Sequence, residues 1–112
     1  MKRKNAMKCK ITVLRKTHHP DLAEQYTLHN KLLCDALAEG QEFIVTNMAK
    51  SPEGFCAWAW LDIQRWVQAI MLGGDFSQHT GWMKEGGTWI TCCTDGVRPV
   101  IFKLERLDET NE

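Results

Sequence analysis

Cys92 and Cys93 are adjacent, and Arg98 lies close behind them in Cys-Cys-Thr-Asp-Gly-Val-Arg-Pro (92–99). A guanidinium beside a thiol favours the thiolate, the form that acts as a nucleophile. The flanking residues read as a β-hairpin, with Trp89 to Thr94 and Val97 to Leu107 on either side of Asp95-Gly96, a strong turn signal. Successive strand residues point to opposite faces, so the two thiols do not share one pocket. A two-residue turn sets Cys93 across from Arg98; a three-residue loop with a glycine bulge sets Cys92 there instead. Either register gives one cysteine a cationic neighbour, with Gly96 at positive φ. Cys92, Cys93 and Arg98 are therefore the candidate catalytic residues. The alternative is that both thiols are buried as small hydrophobes and Arg98 pairs with Asp95.

The second cluster is aromatic. Trp58, Trp60 and Trp66 occupy one segment, with Trp82 and Trp89 further on, five tryptophans in 112 residues. Aromatics this dense line a pocket for a flat or apolar ligand, or fill a core and an oligomer interface. Cys56, Trp60, Trp89 and Asp95 are the expected ligand-binding residues, around a pocket between the Cys56 helix and the Cys92–Arg98 hairpin. Five cysteines and four histidines are available to a metal. No local pair spaced two to four residues apart exists among the cysteines, so no metal ligand is assigned, and a thiolate site gathered from distant positions is the alternative. No cofactor is implied. Gly73-Gly74-Asp75-Phe76 matches the tetrad of diguanylate cyclases, but it comes after a helix and lacks the next acidic residue.

The elements that position these residues are set by periodicity. Residues 9–15 are rich in β-branched side chains and read as a first strand. His18-His19-Pro20 breaks that strand, and Asp21 is expected to cap a short helix to about Tyr26. Residues 27–37 fit no period well. Glu42 to Thr46 reads as a second strand after a turn at Glu39-Gly40. From Cys56, the apolar residues Ala59, Trp60, Ile63, Trp66, Val67, Ile70 and Met71 recur at helical spacing. This predicts the longest helix, about 55–72, entered at Ser51-Pro52 and stopped by Gly73-Gly74. Trp58 and Leu61 lie near its wet side, giving an apolar arc wider than one core face needs, which points to a partner subunit or a ligand pocket; a homo-oligomer is the expected state.

Composition bounds the function classes. Hydrophobic residues are 44% and charged residues 25%, and 14 basic side chains balance 14 acidic ones, which argues against disorder and against a globally basic nucleic-acid binder. The sequence reads as one domain, 1–112, with a frayed basic leader (1–8) and an acidic tail (108–112). Nothing resembles a signal peptide or a membrane span, so a cytoplasmic protein with free thiols is expected.

Two strings, Pro-Glu-Gly-Phe-Cys-Ala-Trp-Ala-Trp-Leu-Asp-Ile (52–63) and Cys-Cys-Thr-Asp-Gly-Val-Arg-Pro-Val-Ile-Phe-Lys (92–103), resemble a family of small bacterial and archaeal proteins of unknown function. Cys9 to Leu14 and Glu39 to Phe43 fit it too. The resemblance spans about residues 8–107 and implies that these segments characterise the family, without implying a catalytic residue. The reading is an α+β fold, a small antiparallel sheet or partial barrel with the 55–72 helix packed on it. Functionally it is a small-molecule-binding protein or thiol-dependent enzyme. Its rivals are a non-catalytic homo-oligomeric interaction module and a thiolate metal-binding protein.

Overall fold

The computed structural model describes residues 7–28 and 34–107. The elements run β1 (Lys8–Lys16), α1 (Pro20–Tyr26), β2 (Glu42–Val45), α2 (Ala57–Met71), β3 (Thr88–Cys92) and β4 (Val100–Leu107). The expected acidic tail lies outside the described residues, as does the basic leader except for Met7 and Lys8, and Lys8 already opens β1. The four strands form one open antiparallel sheet in the order β2-β1-β4-β3, so the fold is α+β with a sheet rather than a barrel.

Period-two patterning decides which face is covered. Cys9, Ile11 and Val13 of β1, Phe43 and Val45 of β2, and Val100, Phe102 and Leu104 of β4 all point to one face and are buried. Helix α2 lies over them with Ala59, Trp60, Ile63, Val67, Ile70 and Met71. A bulge between Val13 and Arg15 interrupts the β1–β4 register and leaves Leu14 outside, 43% exposed. The outer face is held by charged side chains. There Lys10 lies 3.8 Å from Glu42 and from Glu105, and Lys103 lies 3.4 Å from Glu105.

The ends of α2 show how the sequence shapes it. Pro52 does not enter the first turn as expected: its carbonyl accepts from Phe55 N–H at 3.2 Å, in a turn that needs Gly54 at φ +83°, and the helix begins only at Ala57 with Cys56 as its cap. The exit agrees with the Gly-Gly reading. Gly73 takes φ +93°, its N–H donates to Ile70, and Gly74 N–H donates to Ala69 at 2.9 Å, the paired bonds of a Schellman cap. Arg106 of β4 donates from its guanidinium to the Gly74 carbonyl, tying that end to the sheet. Next to it, the Asp75 carboxylate accepts from Ser77 N–H at 2.9 Å, Ser77 hydroxyl at 2.7 Å and Gln78 N–H at 2.9 Å, so the Gly-Gly-Asp-Phe tetrad shapes a loop. In α1, Pro20 occupies the first turn, Asp21 stands inside it, and His19 is the cap residue without a side-chain bond. The expected Asp21 cap is therefore shifted by the proline, whose fixed φ suits the first helical position.

Candidate functional site

The hairpin that carries the candidate thiols is longer in its loop than expected. Cys92 pairs with Ile101, and the last bond is Cys93 N–H to the Val100 carbonyl at 3.1 Å, which leaves residues 94–99 as a six-residue connection. Three local causes outweigh the Asp95-Gly96 turn signal. The Asp95 carboxylate accepts from Val97 N–H and Arg98 N–H, each at 2.8 Å, folding the chain around its own side chain. Pro99 has no N–H to extend the ladder. The carbonyls of Val97 and Pro99 accept instead from His19 and Thr17 of the β1–α1 connection, at 2.8 and 2.9 Å. Gly96 is not among the glycines with positive φ, so that expectation fails together with the tight turn.

Neither thiol therefore faces Arg98 across a ladder. Arg98 Nε lies 3.7 Å from the Asp95 carboxylate, the pairing expected if the thiols are not activated. Desolvation works against the Asp95 carboxylate, but the N–H donors of Arg98 and Val97 and the Arg98 charge outweigh it and hold its carboxyl below the usual range. A second anchor comes from α2, where the Asp62 carboxylate accepts from Thr94 N–H at 2.8 Å and from its hydroxyl at 3.0 Å. This bond fastens the loop to the start of the helix.

Between them lies a cavity of about 420 Å³, bounded by the first turns of α2, the 94–98 loop and residues 34–37. Leu37, Ala59, Val100 and Phe102 form its apolar floor, Asp35, Asp62, Asp95 and Arg98 its polar side, and Cys34, Cys56 and Cys93 three thiols along its wall. Cys93 and Cys92 do point to opposite faces. Cys93 turns inward, close enough for Val100 N–H to approach its sulfur at 3.4 Å, whereas Cys92 sits exposed on the outer face and does not line the cavity.

Of the expected site residues, Cys93, Arg98, Cys56 and Asp95 meet at the cavity; Cys92, Trp60 and Trp89 do not. Trp60 is buried against Phe55, which also contacts Phe43 and Phe102, and Trp89 stacks on Trp66 at 4.8 Å beside Phe76. Both tryptophans hold α2 to the sheet. The tryptophan that reaches the cavity is Trp58, 80% exposed. Cys34, Asp35 and Leu37 come from a stretch with no readable period, and Asp62 is a polar residue that the apolar spacing of α2 leaves out. Only its four-residue spacing from Trp58 hinted that the two share a face.

For the thiols away from the cavity, ionisation is disfavoured. Burial pushes Cys9 up to about 12. Cys92 is also raised, first by desolvation and then by neighbouring Cys93 and Asp62, the reverse of the effect expected from Arg98. All five cysteines are free. Among the described residues, no group of three His, Cys, Asp or Glu side chains is placed to hold a metal ion, and no helix is long and apolar enough to cross a membrane. Of the histidines, His18, His19 and His79 are described and none lines the cavity.

Comparison of the chain with protein-family models, with curated proteins and with solved structures finds no match to any of the three.

Proposed function

We propose that this protein binds a small molecule in the cavity between the start of α2 and the 94–98 loop, and that thiols on the cavity wall act on what it holds. The observation that carries the reading is that three of the five cysteines, Cys34, Cys56 and Cys93, line one cavity of about 420 Å³. That size suits a metabolite-sized ligand, and the division into an apolar floor and a polar side gives such a ligand an orientation. The chemistry this arrangement supports is addition of a cavity thiol to an electron-poor double bond of the ligand, the new carbon–sulfur bond replacing the π bond and the thiol proton passing to the ligand. Free thiols favour a reducing, cytoplasmic setting. The non-catalytic reading, a homo-oligomeric module, draws on Trp58, Leu61, Leu72 and Trp82, all 70% exposed or more.

The test is competition among cysteines. Native protein treated with a limiting panel of chloroacetamide fragments at neutral pH, then mapped by tandem mass spectrometry, should carry its label on Cys34, Cys56 or Cys93, with fragment-dependent yields. Unfolded protein should label all five. Preferential labelling of Cys92 in the native protein would overturn the reading and favour the interaction module.

A further inference from the structure

The two edges of the sheet are not alike. Edge strand β2 (Glu-Phe-Ile-Val) has four residues and carries Glu42. Edge strand β3 (Thr-Trp-Ile-Thr-Cys) carries no charged side chain and no proline, two of the devices that keep a sheet edge from pairing. Its hydrogen-bond phase can be read from its ends. Gly87 and Cys93 are bonded to Arg106 and Val100 of the neighbouring strand, so the alternate residues Thr88, Ile90 and Cys92 point their N–H and C=O groups away from β4. Thr88 N–H reaches Glu85 at 3.4 Å; among the described residues no backbone group meets the outward N–H and C=O of Ile90 and Cys92. Both side chains stand on the open face, with Ile90 39% exposed and Cys92 exposed.

We propose that two copies of this chain join through their β3 edges, antiparallel about a two-fold axis at Ile90, into one continuous sheet. The strand is self-complementary under that operation. Ile90 meets the partner's Ile90 with reciprocal N–H to C=O bonds, and Thr88 meets the partner's Cys92. An uncharged strand brings no like charges together at the axis, whereas pairing β2 edges would bring two Glu42 side chains into one small interface. The helix row that overhangs β3, marked by Asp62 bonded to Thr94 and Trp66 stacked on Trp89, also contains Trp58, whose 80% exposure gives the interface apolar area beyond the backbone. This inference goes beyond the cavity reading and stands whatever the cavity binds.

The experiment is sedimentation equilibrium on the full chain with two matched variants. Wild-type protein should run at twice the 12.9 kDa chain mass at micromolar concentration. Ile90→Lys places two ammonium groups opposite each other at the axis and should weaken the dimer at least about tenfold. Ile44→Lys makes the same change on the same face of the other edge strand, at 43% exposure, and should leave the dimer intact. Hydrogen exchange on the wild type supplies a readout that survives a poorly folding variant: the Ile90 and Cys92 amides should be protected in the dimer and lose protection on dilution. A monomer at all concentrations, a dimer whose Ile90 and Cys92 amides exchange freely, or a dimer disrupted by Ile44→Lys and not by Ile90→Lys each overturns the proposal. An open-ended assembly, or edge protection conferred only by an added foreign peptide, does so as well.

Discussion

The inner face of the sheet is apolar from β2 across to β4, whereas the outer face is organised around Lys10, Glu42, Lys103 and Glu105. The two faces share a backbone and differ by one step along each strand. Cys92 and Cys93 show what that step does: one thiol is exposed with its ionisation disfavoured, and its neighbour lines a cavity. Adjacent residues of the same type thus receive different chemistry from strand alternation alone, and a one-residue slip of β3 would exchange their roles.

The contrast should appear first in stability. Phe102 is fully buried at the centre of the inner face, and Phe102→Ala should cost about 3–5 kcal/mol in urea unfolding, enough to threaten a small domain. Ile101→Ala, one residue away on the outer face, should cost less than about 1.5 kcal/mol. Equal losses would show that the outer face is covered in the free protein.

The next effect is on pH dependence. Burial holds Cys9 up to about 12 against an ordinary 9.0, so the folded state keeps a proton that the unfolded chain releases. The stability this contributes is complete below pH 9 and drains away as pH rises towards 12, by about 1.4 kcal/mol per unit in that window. Denaturation midpoints measured from pH 8 to 11 should fall accordingly, and Cys9→Ala should flatten the slope while lowering the starting stability. A slope unchanged in Cys9→Ala would assign the alkaline loss to other groups.

The smallest effect belongs to the outer ion pairs. Lys10 stands 3.8 Å from each of two carboxylates, and Lys10→Met should change stability by less than about 1 kcal/mol, with less sensitivity to salt than the wild type. A loss comparable to that of Phe102→Ala would mean that the ion pairs organise the sheet as much as the core does.

The sequence was informative where one periodicity acted alone. The spacing from Ala59 to Met71 defined α2, the alternation in β1 and β4 defined the inner face, and the Gly73-Gly74 stop matches the observed cap. It was misleading where one side chain served two signals. Asp95 reads as half of a tight Asp-Gly turn, yet its carboxylate gathers Val97 and Arg98 N–H and opens the loop to six residues. Trp60 and Trp89 fit a pocket wall and a core equally well in sequence, because a tryptophan in either place gives the same pattern, and packing decides for the core. Cys34 was not legible at all: it reaches the cavity from a segment without period, positioned by tertiary packing.

The central pair of the sheet joins β1 to β4, with Lys8 opposite Leu107. A chain synthesised from its N-terminus therefore holds β1, β2 and α2 well before it holds the strand that completes their sheet. Until β4 emerges, β3 has no strand to pair with, since among the described residues its one partner in the sheet is β4. A nascent chain ending before Val100 exposes the apolar side of α2 and an unfinished sheet to whatever surrounds it. Folding is then a closing event completed by the last strand, through contacts between the two ends of the described chain.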